Sequence, residues 1–170
     1  METQRTLNAL ELDKLRDRIK DIRICMLTTQ EADGDFHTRP MATHDMDPDG
    51  SLWFFTYENS NKVDEIRQNP RVALAFADTD SEVYVSTTGY AEVVKDRGKI
   101  DELWSDILKT WFPNGKDDPE ITLLKVTTNA GEYWDRPGGK MVKLFEMAKG
   151  ALTGASDKTG RNEKFGDEPV

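Results

Sequence analysis

Residues 36–62, FHTRPMATHDMDPDGSLWFFTYENSNK, constrain this chain more than any other stretch. Asp47-Pro48-Asp49-Gly50 is a strong turn signal, because Pro presets φ and Gly is free to adopt positive φ. Residues 52–57 are aromatic and β-rich and suit a pleated, half-buried surface. Glu58-Asn59-Ser60-Asn61-Lys62 then offers several N-cap residues. The stretch therefore predicts two antiparallel strands, a tight turn between them and a helix start. A helix start with free N–H groups, the Ser60 hydroxyl and the Lys62 ammonium suits an anion, and Arg39 on the first strand adds a second cation.

The rest of the chain reads around this unit. Residues 8–20 predict a helix, with Leu12, Leu15 and Ile19 at helical spacing and an Asn8/Glu11 capping box. Residues 22–29 predict a strand, joined to the next through the Asp33-Gly34 turn. Pro40 lies inside the strand read over 36–44, which places that strand at an edge or makes it irregular. Val63 and Ile66 anchor a short helix that Asn69-Pro70 stops. RVALAFA at 71–77 lacks polar alternation and reads as a strand buried on both faces. Gly89 interrupts a long strand over 82–94 and predicts a bulge or a close backbone approach. Residues 97–112 predict one continuous amphipathic helix, with Trp104 and Trp111 packing it. A long strand over 120–134 and a helix over 140–152 follow, and the polar, Gly-rich residues 153–170 predict a disordered tail. About six strands and four helices joined by short turns point to an antiparallel barrel flanked by helices.

Composition narrows the function. The net charge of −9 disfavours nucleic acid and anionic membranes as partners. No apolar run approaches the ~20 residues of a membrane span. The lone Cys25 reads as a small buried hydrophobe, and cytoplasmic localisation is the expectation. His37 and His44, the only histidines, fall at opposite parity on one predicted strand and carry no Cys or His cluster, so no metal site is predicted. No G-x-S-x-G elbow, G-x-G-x-x-G or Walker A sequence occurs, and no general acid or base is identifiable.

The order His37-Thr38-Arg39-Pro40-Met41, then Trp53-Phe54-Phe55-Thr56, then Ser60-Asn61-Lys62-Val63 resembles the FMN-binding split-barrel superfamily, which includes pyridoxamine 5′-phosphate oxidase. Within it the chain looks most like the general stress protein 26 branch. The resemblance covers residues 7–152, taken as one domain (1–152), and implies a six-stranded antiparallel split β-barrel with flanking helices. It also implies a homodimer with FMN at the subunit interface and an oxidoreductase role linked to the general stress response. By that resemblance Arg39 and Lys62 hold the phosphate, with Ser60 beside it. Pro40 and Met41 follow the isoalloxazine edge, Phe55 and Thr56 lie beside the ring, and Trp134 or Tyr133 on the long strand contributes from the second subunit. The basic C-terminal segment that holds substrate phosphate in pyridoxamine 5′-phosphate oxidase has no match here, so vitamin B6 oxidation is not implied. A non-enzymatic flavin carrier or sensor, or a barrel for F420 or haem, are the alternative readings.

Overall fold

The computed structural model describes residues 6–135 and 161–166. Helix α1 (Ala9–Ile19) opens with the expected capping box: Asn8 Oδ1 accepts from the Glu11 amide at 3.0 Å, and Glu11 Oε2 accepts from the Asn8 amide at 2.9 Å. Strands β1 (Ile24–Gln30) and β2 (Phe36–Ala42) form a hairpin whose turn places Gly34 at φ 93°. Strand β3 (Ser51–Tyr57) follows the Asp-Pro-Asp-Gly turn, where Gly50 has φ 87° and its amide donates to Asp47 O at 2.9 Å. Helix α2 (Asn61–Gln68) leads to β4 (Arg71–Asp78) and β5 (Val83–Val94). Helix α3 (Arg97–Leu103), a 3-10 turn (Asp106–Thr110), β6 (Ile121–Asp135) and β7 (Arg161–Gly166) complete the described chain.

The strands form one antiparallel sheet in the order β2-β1-β4-β5-β6-β3, with β7 also on β6. β6 is the spine. β3 pairs its residues 121–127, and β7 takes residues 130–135, while β5 runs along the opposite edge. The expectation that β2 and β3 pair as antiparallel neighbours across the Asp-Pro-Asp-Gly turn is not met: they share no ladder, because β3 pairs with β6, and the sheet is not closed. The β1–β2 register is unbroken from Ile24↔Ala42 to Gln30↔Phe36. The edge position, which asks for no ladder on one side, accommodates Pro40 without a bulge.

Two clusters bury the sheet. The larger includes Leu15, Leu27, Phe54, Leu74 and Val126 and seats α1. The smaller, Trp53, Phe55, Ile100, Leu108, Phe112, Ile121 and Leu123, covers the other face of β3. This explains why β3 is buried on both faces. β4 differs from expectation here. Val72, Leu74 and Phe76 are buried while Arg71, Ala75 and Ala77 are exposed. The alternation is of large against small side chains, and alanine masked it because it counts as apolar on either face.

The predicted helix over 97–112 is also divided. Trp104 (φ −64°, ψ 134°) and Ser105 (φ −134°, ψ 152°) are extended between α3 and the 3-10 turn. The break lets the Trp104 and Phe112 rings pack against Phe55 at 5.8 and 6.0 Å, leaving Ile107 exposed. His44 does not share the strand of His37, since β2 ends at Ala42. The tail was expected to be disordered from residue 153, but residues 161–166 form β7. Phe165 is buried over Gly131, where a Cβ would sit 2.4 Å from the Phe165 ring. Lys14 and the Tyr133 hydroxyl both donate to Glu163, and Arg18, paired with Asp135 at 3.0 Å, stacks 3.6 Å from the centre of the Tyr133 ring. The helix predicted over 140–152 lies outside the described residues.

Gly89 marks the register shift between β5 and β6, and a Cβ there would lie 2.2 Å from Thr127 O. Gly115 has φ 80° but nothing within 4 Å of a built Cβ. Urea unfolding should show Gly89→Ala losing about 2–4 kcal/mol, as expected of a backbone clash. Gly115→Ala, which pays only for its dihedral angle, should lose about 1 kcal/mol.

Candidate functional site

The open seam between β2 and β3 holds a cavity of about 500 Å³, within the about 300–1,000 Å³ typical of small-molecule sites. β2 contributes Pro40, Met41 and Ala42, and the end of β3 contributes Phe55, Thr56 and Tyr57. Ile24 and Trp111, 46% and 50% exposed, form an apolar rim open to solvent. Leu108 and Phe112 form the back wall. Ring contacts tie this wall together, with Tyr57 to Phe112 at 4.9 Å and His44 to Phe55 at 5.3 Å. A planar, mostly apolar ligand matches such walls.

One end of the cavity is different in chemistry. Ser60 and Lys62 line it at the start of α2. Ser60 occupies the N-cap position, yet its hydroxyl makes no cap bond. Instead it meets the Thr56 hydroxyl at 3.0 Å, and Lys62 Nζ donates to Thr56 Oγ1 at 3.2 Å. Among the described residues Lys62 makes no ion pair. Burial pushes its ammonium below the usual lysine range, and the Arg39 charge adds to this against the opposing pull of Glu65. A half-buried cation, two hydroxyls and the positive end of a helix together present donors, and among the described residues the nearest acid, Glu65, is paired with Arg39. That is the chemistry of an anion cradle.

Arg39 stands beside this corner without lining the cavity. Its Nη2 donates to Glu65 Oε2 at 2.7 Å, and its Nη1 donates to the Thr29 hydroxyl. Burial raises the Glu65 carboxyl, but hydrogen bonds from Thr29 and Arg39 outweigh it, and the net shift is downward. Glu65 is thus a buried carboxylate held ionised by its donors.

The structure therefore brings together Pro40, Met41, Phe55, Thr56, Ser60 and Lys62 of the residues singled out in the sequence. Arg39 lies next to them. Trp134 does not join them: it is 40% exposed on β6, paired across from Tyr84 and Asn162. Sequence reasoning missed Ile24, Ala42, His44, Tyr57, Leu108, Trp111 and Phe112 as lining residues. Trp111 and Phe112 were visible as aromatics, but the continuous-helix reading assigned Trp111 to packing its own helix.

His44 adds a testable property. Its Nε2 is buried with no hydrogen-bond partner among the described residues, and burial lowers the imidazole below its ordinary value of 6.5, partly opposed by the Asp45 carboxylate. The unfolded chain takes up this proton at a higher pH than the folded one. The folded state is therefore at its best above pH 6.5 and loses stability as the pH falls from there through the folded value. Denaturant unfolding at pH 7.5 and 5.5 should show a drop that His44→Phe reduces. An equal drop in both proteins would remove His44 as its source.

Comparison with known proteins gives the lineage. The family model described as "Pyridoxamine 5'-phosphate oxidase like" matches residues 11–158. A crystal structure assigned as general stress protein 26 from Jannaschia sp. CCS1 superposes with a TM-score of 0.78 at 29% identity, covering 91% of this chain and 97% of that one. The general stress FMN/FAD binding protein of Xanthomonas citri gives a TM-score of 0.63 at 28% identity, covering 73% and 87%. Protein bli-3 of Neurospora crassa is 23% identical over 158 residues, 87% of this chain and 76% of the relative. The mainly antiparallel sheet with its three described helices matches the split-barrel fold of these neighbours, with the seam between β2 and β3 left open. By sequence and by fold, the chain belongs to the pyridoxamine 5′-phosphate oxidase-like family.

Proposed function

We propose that this protein binds FMN in the β2–β3 seam as a homodimer and serves as a flavin-dependent oxidoreductase of the general stress response. The observation that carries the reading is the end of the cavity at α2, where half-buried Lys62 lies beside the Thr56 and Ser60 hydroxyls without an acidic partner. A terminal phosphate supplies the missing countercharge, and it restores the Lys62 ammonium toward its ordinary range. The apolar length of the cavity, from Met41 to Phe112, takes the ring system. The Xanthomonas citri relative, an FMN/FAD binding protein by name, supports a flavin as the ligand class. A single phosphate corner favours the mononucleotide.

The chain's own residues bind and orient. Lys62, Ser60 and Thr56 fix the phosphate, and the walls exclude water from one ring face. Arg39 strengthens the local positive field while Glu65 holds its guanidinium in place. The flavin, when bound, supplies the hydride and single-electron chemistry that no side chain here provides. Ile24, Met26 and Phe36, exposed on the β1–β2 hairpin, form an apolar face that a second copy covers. In that arrangement Trp134, remote from the cavity of its own subunit, reaches the flavin of the other.

Purified protein mixed with FMN and desalted should retain flavin absorbance, and sedimentation should give a dimer of the 19.3 kDa chain. Lys62→Ala should weaken FMN binding by about 10-fold or more, since a charge-assisted hydrogen bond contributes about 1.5–3 kcal/mol. Trp134→Ala should weaken it in the dimer as well. Unchanged affinity in Lys62→Ala would sink the assignment of the phosphate corner, and a flavin-loaded monomer would sink the shared site.

A further inference from the structure

We propose that Glu31, His37 and Glu65 form a site for a divalent first-row metal ion, with zinc the best match, outside the flavin cavity. His37 Nδ1 lies 3.6 Å from Glu31 Oε1 and 3.5 Å from Glu65 Oε1. All three candidate ligand atoms fall within 4.8 Å of one another. The two His–Glu separations exceed the about 2.7–3.2 Å of a well-formed N–H···O bond. They lie close to the edge of a coordination tetrahedron, because metal–ligand bonds of about 2.0–2.1 Å set ligand atoms about 3.3 Å apart. These two edges suit a shared cation better than direct hydrogen bonding, and the Glu31–Glu65 edge falls within 4.8 Å.

Two units support the three ligands: the β1–β2 hairpin carries Glu31 and His37, and α2 carries Glu65. His37 sits on β2 in unbroken register with β1. Glu31 sits in the tight turn after β1, where its amide donates to Asp35 O at 2.8 Å and its carbonyl accepts from Gly34 at 3.0 Å. Glu65 is on α2 and buried. Its second oxygen, Oε2, is taken by Arg39 at 2.7 Å and by the Thr29 hydroxyl. Those donors orient the carboxylate and leave Oε1 facing the imidazole. Donors that orient a metal-binding carboxylate from behind are a common feature of protein metal sites.

The donor set selects the ion. An imidazole with two carboxylates suits zinc and its first-row neighbours, whereas magnesium and calcium prefer all-oxygen cages. Because Arg39 is already paired with Glu65, the two carboxylates offset part of the charge of a divalent ion. Glu31 and His37 have side chains 45% and 47% exposed, so the ion has a path in and a fourth position for water. A metal here would pin the β1–β2 hairpin to α2. Glu31 and His37 lie six residues apart on one hairpin while Glu65 comes from α2, which is why spacing in the sequence does not show the whole site. None of the three lines the cavity, but Glu65 also holds Arg39 beside it, so the test varies His37 and Glu31 and leaves Glu65 in place.

The test is calorimetric titration of the chelator-treated full chain with zinc chloride, without flavin. The expected result is one zinc per chain, with His37→Ala and Glu31→Gln each weakening binding by about 10-fold or more. Zinc should also raise the melting temperature of the parent protein and not that of His37→Ala. Far-UV circular dichroism of the zinc-free variants should match the parent and so exclude misfolding. An absence of binding, or equal binding by parent and His37→Ala, overturns the site and leaves His37 as an imidazole between two carboxylates.

Discussion

The site depends on a ladder that two neighbouring strands do not form. β2 and β3 follow one another in sequence, yet β2 pairs only with β1, and β3 pairs only with β6 at the far end of the sheet. Their facing edges leave backbone N–H and C=O groups that need partners. The same separation opens the cavity, whose walls are the ends of these two strands. β6 makes this possible. It is long enough for β3 and β7 to occupy successive halves of one edge while β5 holds the other.

Electrostatics at the seam are local. The chain is acidic overall, with a net charge of −9. Arg39 and Lys62 nonetheless stand together beside a helix N-terminus, close enough for Arg39 to depress Lys62. Buried Glu65 offsets part of that repulsion and fixes the Arg39 fork. The corner is therefore a preorganised cation pair with one acid assigned to Arg39 and none in contact with Lys62. Preorganisation matters because the donors are already desolvated and oriented when an anion arrives.

The β1–β2 hairpin, the Asp-Pro-Asp-Gly turn and the α1 capping box were legible in the sequence because each is set by residues close in the chain, whereas the pairing expected between β2 and β3 does not form. Asn8 and Glu11 cap each other across one turn, and Gly34 and Gly50 supply positive φ where their turns require it. What failed was set by distant partners. The helix expected over 97–112 breaks at Trp104 because Phe55, on another strand, takes its ring. β4 is buried on one face only, since its alanines point outward and no layer covers them. β7 carries little apolar surface, and Phe165 acquires its place only against Gly131. Several cavity-lining residues of the anchor stretch were readable because the ends of β2 and β3 and the start of α2 meet at the seam, although β2 and β3 do not pair. Trp111 and Phe112 were not, because only tertiary packing brings their segment to the seam.

On the proposed reading, an acidic protein captures an anion, and it cannot rely on long-range attraction. At physiological ionic strength, exposed charges are screened within about 8 Å, so the net charge of −9 neither steers a phosphate in nor strongly repels it. Selection then falls to contacts within the cavity, where Lys62 is partly desolvated and screening is weak. That requirement accounts for the placement of the Lys62 ammonium, folded back onto the Thr56 hydroxyl instead of extended into solvent. Burial costs the ammonium part of its hydration, and Thr56 offsets only some of that loss. The remaining deficit is what an incoming anion relieves, so the same desolvation that weakens the empty corner gives the occupied one its affinity.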